Sequence, residues 1–387
     1  MTDDASLGAE ALRRGDGAAA ARHFELALVA QPLEVAFHHQ LALAHQHVLQ
    51  RDGAEAILDL ICTEVPGAFT SQLHRARLRE LRGDVRGAVM GYLSAIKTAQ
   101  FRGFWQDEGS TPEWLRKPVL HAMEVAHEGR VALAHEWIDP LAERFGNDEI
   151  ERVAKCVAMH LGLIPPERPD PRQRPSFLYF PDLPVQPVFD RPAFADALEA
   201  QTAAIRAELA AVRDGEGVRP FHDHVPEAAR DSLTRGGSWD AYFFFRNGTR
   251  FDPHHAACPM TSAALGALPL DVVPERGPEV CFSIMRPGAH ILPHRGVTNT
   301  RAVFHLALDI PDGCALDLVG VEELHWTEGR CFVFDDTFEH QAWNRSDRVR
   351  GILLGDIWNP HLREAERLAI AELVPKLGDY GRATSST

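Results

Sequence analysis

Two histidines and one arginine, far apart in the chain, carry the chemistry this sequence could perform. His294 ends "AHILPH", His340 follows "VFDDTFE", and Arg350 stands ten residues after His340 in "RVRGILL". Neutral imidazoles are ligands for iron, zinc, copper and nickel. A guanidinium grips a carboxylate through two parallel hydrogen bonds. The pattern suggests a metal site with an anion clamp beside it. Its oddity is Gly296, where a triad of two histidines and a carboxylate would place the carboxylate. Rivals for each role are close by. His290 lies four residues before His294, and Asp335 and Asp336 could supply the missing carboxylate or fix a turn. Arg348 competes with Arg350, which Asp347 or Asp356 could instead hold in a structural ion pair.

Strands must bring these residues together. From Trp239 the chain breaks into short apolar runs between Gly and Pro turns: "VCFSIMRPG", "RAVFHLALDIPDG", "CALDLVG", "ELHWTEGRCFVFDD" and "RGILLGDIW". That texture predicts a sandwich or barrel of short strands, and "AYFFFRNGTRF" carries the Asn-Gly signal of a hairpin. Successive strand residues face opposite ways, so Arg301, Val303 and His305 share one face and Ala302 and Phe304 the other. His294 is expected in the turn after "AHILP" and His340 just past a strand, where a jelly-roll barrel presents a metal at its mouth. Arg350, on the next strand, would reach inside. One amphipathic helix, "HLREAERLAIAELVPKL", and a polar, disordered tail over 376–387 are expected to end the chain.

The first 105 residues read as helices in repeats. "RRGDGAAAARHFELALVAQP", "QRDGAEAILDLICTEVP" and "LRGDVRGAVMGYLSAI" each set a Gly/Asp turn before a helix. Each also places a small residue four before a bulky one: Ala20 and Phe24, Ala56 and Leu60, Ala88 and Tyr92. A small residue admits the neighbouring helix and a large one fills its groove. The offsets of 36 and 32 residues bracket the tetratricopeptide period of about 34, although any Ala-rich bundle would share much of this. Residues 106–164 are expected to cap the array with further helices, and 165–176 to form a proline-rich linker, since proline fixes φ and lacks an amide donor. The strand-rich domain then spans 177–375, giving a helical tetratricopeptide-like array followed by a jelly roll with flanking helices.

Charge and composition exclude some partners. With 40 Lys+Arg against 55 Asp+Glu the net charge is -15, whereas nucleic acid or an anionic membrane surface demands a basic footprint. No stretch reaches the roughly 18 apolar residues of a membrane span, and the N-terminus lacks a signal peptide's apolar run. A cytoplasmic protein is expected. Six cysteines without a CxxC pair read as reduced thiols and offer no zinc-thiolate site.

Several stretches, in one order, carry a specific resemblance. "FSIMRPGAHILPHRG", "TN" before the strand holding His305, "FDDTFEHQAWN" and "DIWNPHL", with "AYFFFRNGTR" and "CPMTSAAL" upstream, resemble the aspartyl/asparaginyl β-hydroxylase family over 177–362. That family is one of 2-oxoglutarate-dependent, non-haem iron oxygenases with a double-stranded β-helix. It carries glycine where the triad's carboxylate would stand, with water completing the iron shell. The resemblance implies Fe(II) as cofactor, 2-oxoglutarate and dioxygen as cosubstrates, and His294 and His340 as iron ligands. It implies Arg350 and Ser283 on the distal carboxylate of 2-oxoglutarate, His305 near its other end, and Met285 lining its pocket. In the protein-hydroxylating members two arginines precede the counterpart of His305. Arg301 keeps the first and Val303 replaces the second, while Cys258 alone remains of a cysteine pair. Arg301 and Val303, with Arg246 from the hairpin, are then the expected substrate residues.

The activity implied is hydroxylation of an amino-acid residue or small amino-acid-like substrate with at most one carboxylate near the reacting carbon, 2-oxoglutarate leaving as succinate. The repeats would present a polypeptide substrate or protein partner in their groove. Two other readings compete. One is a tetratricopeptide adaptor whose β-helix is a non-catalytic binding module. The other is a cupin-like enzyme of another metal, for which neither His294 nor His340 stands in an HxH pair.

Overall fold

Gly15, Gly53 and Gly83 take φ of 74°, 77° and 82°, a left-handed conformation that costs glycine no side-chain clash. Each turns the chain into a new helix. The computed structural model describes residues 3–31, 34–50, 53–223 and 233–384. Its helical unit contains α1 (Asp3–Arg13), α2 (Gly17–Ala30), α3 (Val35–Leu49), α4 (Ala54–Glu64), α5 (Phe69–Leu81) and α6 (Val85–Phe101). Asp16 and Asp84 cap α2 and α6, their carboxylates accepting from the amides of Ala19 and Gly87.

Ala20 and Phe24 are buried, as are Ala88 and Tyr92, but Leu60 is 58% exposed. The buried pair of the middle repeat is Ala54 and Leu58. The segment "AEAILDL" offers an alanine four before a leucine in two registers, and the structure uses the earlier one. The spacing then evens out to 34 residues, from Ala20 to Ala54 and from Ala54 to Ala88.

Inside this unit Glu25 is buried and accepts from the Ser71 amide at 3.1 Å and hydroxyl at 2.9 Å. Burial raises its carboxyl from 4.5 to about 7, outweighing the Ser71 hydrogen bonds and the Arg102 charge. The folded chain therefore holds a proton that the unfolded chain releases above about 4.5, and this contribution to stability is lost as pH rises from there through about 7. His45 and His74, kept neutral by burial, act in the opposite sense, so the variant isolates the effect. Glu25→Gln should gain stability over wild type by up to roughly 3 kcal/mol between pH 5 and pH 8. Urea melts at both pH values check this; a pH-independent difference would refute it.

The chain divides by its contacts into Met1–Glu136 with Lys376–Thr387, and Trp137–Pro375. The first break falls inside α7 (Arg116–Phe145), so residues 137–164 group with the strand-rich unit. Within that unit the Cys156 thiol of α8 (Asn147–His160) donates to the Tyr179 carbonyl. The proline-rich segment also makes contacts in that unit. Gln173 is buried and donates to Asp335 at 2.6 Å, and the Ser176 amide donates to the Gly296 carbonyl.

Two short helices, α9 (Ala195–Glu199) and α10 (Thr202–Val212), precede the strands, and α11 (Asp252–Ala257) and α12 (Pro259–Leu265) interrupt them. The expected disordered tail is instead the end of α13 (Glu364–Thr384), where Leu377 and Tyr380 are buried; 385–387 lie outside the described residues. No helix among the described residues is long and apolar enough to cross a membrane.

The strands are β1 (Arg219–Pro220), β2 (Thr234–Arg235), β3 (Trp239–Arg246), β4 (Thr249–Arg250), β5 (Val280–Met285), β6 (His290–His294), β7 (Arg301–Asp309), β8 (Cys314–Leu318), β9 (Glu322–Leu324), β10 (Cys331–Phe334), β11 (His340–Asn344) and β12 (Arg350–Trp358). One sheet runs β1-β3-β5-β12-β7-β10 with β4 on β3; the other runs β2-β6-β11-β8-β9. From β5 onward the chain passes between the two, which is the jelly-roll arrangement. Asn247 and Gly248, with φ of 47° and 76°, make the two-residue β3–β4 turn with both central residues left-handed. On β7, Ala302, Phe304, Leu306 and Leu308 pack with Leu198, Ile205 and Leu209 of α9 and α10. Val303 faces the other way, into the space between the sheets with Met285, Ile291 and Ile352.

A candidate metal and anion site

His294 is the last residue of β6 and His340 the first of β11, and the two face each other in register. Both belong to strands, contrary to the expected turn and strand end. Between His340/His294 and Ala342/Ile291 the register slips by one residue on β6, so Pro293 sits in a bulge, where its missing amide donor breaks no ladder bond. The imidazole centroids are 4.1 Å apart. Each ring's Nδ1 lies 2.9 Å from the carbonyl two residues earlier, Leu292 for His294 and Phe338 for His340. That bond places the proton on Nδ1 and leaves the Nε2 lone pair for a metal. Burial lowers both, and for His340 burial followed by His294 brings it to about 3, so both rings are neutral. His290, the rival ligand, is tied to Gln341 at 2.9 Å.

Arg350 is 1% exposed and lines the same cavity of about 200 Å³ as the histidine pair. Its guanidinium donates to the Ser283 carbonyl and hydroxyl, touches the Met285 sulfur and lies 4.8 Å over the Trp326 ring. No carboxylate pairs with it among the described residues, and Nε has no partner. Burial pulls it down to about 10, only partly opposed by Cys314 and Cys281. Two further donors converge there. Ser283 Oγ accepts from Trp239 Nε1 at 2.9 Å as well as from Arg350, so its own proton is left to give. His305 Nδ1 accepts from Trp326 Nε1 at 3.2 Å, which puts the ring's proton on Nε2, a buried atom with no partner. A buried cation and a buried N–H left unpaired are costly, and a carboxylate in the cavity would satisfy both.

Other expected residues fall elsewhere. Arg348 is exposed and faces Asp309. Arg301 lines the cavity but is already paired with Asp356 at 2.7 Å and Asp336 at 3.5 Å; Asp356 thus serves Arg301 and not Arg350. Arg246 does not line the cavity: it pairs with Asp223 at 2.6 Å and donates to the Phe221 carbonyl. Val303 does line it. Trp239, Trp326, Glu279 and Asp356 were not anticipated as parts of this site. Alternation along β12 from Arg350 would have found Asp356; nothing in the loop sequence marks Trp326.

Gly296 resolves its own puzzle by space. A Cβ built there would lie 2.0 Å from Asp336 Oδ1, so the Asp336 carboxyl covers the glycine, and the Gly296 amide donates to the Asp336 carbonyl at 2.6 Å. Asp335 holds the turn, accepting from the Thr337 amide and hydroxyl, whereas Asp336 lines the cavity. No three His, Cys, Asp or Glu side chains form a metal cluster among the described residues. Restoring a carboxylate by Gly296→Asp should therefore fail alone, destabilising the chain by about 1–3 kcal/mol through overpacking. Adding Asp336→Gly should recover most of that loss. Thermal melts of the two single variants and the double check this, and additive losses would refute it.

A jelly roll with two opposed imidazoles on neighbouring strands and an unpaired buried arginine defines a class: a barrel built around a histidine pair and an anion pocket. The sequence model described as Aspartyl/Asparaginyl beta-hydroxylase matches residues 199–360. The chain is 31% identical over 251 residues to mouse Aspartate beta-hydroxylase domain-containing protein 2, covering 63% of this chain and 71% of that one. It is 34% identical over 176 residues to human Aspartyl/asparaginyl beta-hydroxylase, covering 45% of this chain and 22% of that one. It is 32% identical over 178 residues to the Ornithine lipid ester-linked acyl 2-hydroxylase of Rhizobium tropici, covering 45% and 61%. The chain belongs to the aspartyl/asparaginyl β-hydroxylase family.

Proposed function

We propose that this chain is an Fe(II)- and 2-oxoglutarate-dependent dioxygenase that hydroxylates an amino-acid residue or a small amino-acid-like substrate. The observation that carries the proposal is Arg350, buried without a carboxylate and accompanied by unspent donors from His305 and Ser283, in one cavity with the His294–His340 pair. His294 and His340 would hold the iron through Nε2. Bound iron, with dioxygen and 2-oxoglutarate, would supply the oxidation that replaces C–H by C–OH as 2-oxoglutarate leaves as succinate and carbon dioxide. Arg350 would hold the distal carboxylate of 2-oxoglutarate in its planar fork, with the Ser283 hydroxyl donating to the same group. His305 would donate from Nε2 toward the cosubstrate, and Trp326 fixes the tautomer that allows it. Trp239, Met285 and Ile352 keep water from that end.

The relatives' names range from aspartyl and asparaginyl residues to an acyl chain of ornithine lipid, so hydroxylation is what they share. In the helical unit, the even 34-residue spacing supports a tetratricopeptide array. Its groove of about 750 Å³ beside Phe104 and Trp114 is where a polypeptide substrate or protein partner would bind. The decisive experiment is anaerobic binding of Fe(II) and 2-oxoglutarate to the purified chain, then a succinate assay in air. Stoichiometric iron with iron-dependent succinate is expected; 2-oxoglutarate left unbound and unconsumed would refute the proposal.

A further inference from the structure

The cavity has two ends of opposite charge. Arg350, Ile352, Leu354 and Asp356 all face inward from alternate positions of β12, which sets the Cα atoms of Arg350 and Asp356 roughly 20 Å apart along one strand. Around Asp356 the wall is acidic. Glu279 and Asp336 line it with Asp356, and Arg301 is shared between the two aspartates. Arg295, also on the wall, is spent on Glu339 at 3.1 Å. Directly across from Asp356 in register stands Val303, so β7 sets no second guanidinium against the acids, and Arg246 acts on Glu279 only from outside the cavity lining.

Two acceptors are left over. The Glu279 carboxylate makes no hydrogen bond or ion pair among the described residues, although its amide donates to Asp356 at 3.0 Å. Asp336 is 7% exposed, and its Oδ1 has no hydrogen-bond partner. A carboxylate brought to this end would meet three carboxyl groups against the one guanidinium of Arg301, whereas a cation would meet open acceptors. Burial, with the Asp356 charge second, holds Glu279 up at about 7, as expected where acids outnumber their cation.

We infer that the substrate group seated at this end is positively charged, an ammonium or a guanidinium, and that it sits against Glu279 and Asp336. What then happens to the bound molecule rests on the hydroxylase reading above. The inference departs from the expected substrate with at most one carboxylate near the reacting carbon, because Arg301, which would have received that carboxylate, is already paired.

The test is equilibrium binding, by calorimetry, of the blocked amides of lysine, arginine and aspartate to the full chain. It is run without metal and again with Mn(II) and 2-oxoglutarate. The basic amides should bind about tenfold or more tightly than the aspartate amide. Glu279→Gln should shrink that ratio, and Val303→Arg should shift it toward aspartate; a ratio within one variant cancels any loss common to both ligands. Aspartate amide bound as tightly as the basic amides, no binding of either basic amide, or a ratio unmoved by Glu279→Gln would overturn the inference. Iron-dependent succinate release, measured in parallel, separates the two readings. Binding of basic amides without succinate removes the hydroxylase reading alone. Succinate release stimulated preferentially by aspartate amide removes the charge assignment alone.

Discussion

Arg350→Met should leave the ligand-free chain at least as stable to heat as wild type, yet abolish its stabilisation by 2-oxoglutarate. The reason is that Arg350 is a fully buried cation facing no carboxylate. Replacing an uncompensated buried charge by an apolar side chain of similar reach is neutral or stabilising by about 1–4 kcal/mol. Removing one partner of a buried ion pair, by contrast, costs a ligand about 2–5 kcal/mol, a fall of roughly thirtyfold to several thousandfold in affinity. Ligand that binds only the folded state raises the melting temperature with the logarithm of its concentration over Kd, so the comparison needs melting curves with Mn(II), with and without 2-oxoglutarate. Arg350→Lys should lose most of the same shift, since an ammonium cannot reproduce the planar fork. A wild-type shift in either variant would place the anion elsewhere.

His294→Ala and His340→Ala should each remove iron binding, by a factor of about 100 or more. With no three-residue cluster among the described residues, each substitution takes away half of the protein's ligands. The two variants should fail to the same degree, because the rings are equivalent: each is fixed by the carbonyl two residues before it. His290→Ala is the control and should retain iron, its ring being held by Gln341. Anaerobic titration with Fe(II) measures all three. Normal iron in both the His294 and His340 variants would sink the assignment.

How much of this could be read in advance follows from what decides each feature. The runs forming β5, β7 and β12 were visible because strands buried on both faces are almost continuously apolar. The same alternation put Arg301, Val303 and His305 on one face. The strands β6 and β11, which carry the histidine pair, were not visible. "HILPH" contains a proline excused by a bulge, and "HQAWN" mixes polar and apolar residues without a clean period. The role of an arginine was the least legible of all. Arg246, Arg301 and Arg350 look alike in sequence, and only folding shows that Asp223 and Asp356 take the first two and leave the third unpaired. Leu60 misled because one helix offered two equally good registers.

The placement of Arg350 and Asp356 on the same face of one strand has an evolutionary consequence. A single insertion or deletion in the 345–349 turn that shifted β12 by one residue would turn every inward side chain outward. The clamp at one end and the acidic wall at the other would be lost in the same event. Length changes here should therefore be purged from the lineage more strictly than in turns serving one end of the cavity. Conversely, point substitutions at position 356 or its cross-strand neighbour Val303 could redirect what the barrel accepts while leaving the reading frame of the clamp untouched, a route by which one ancestral scaffold could diversify.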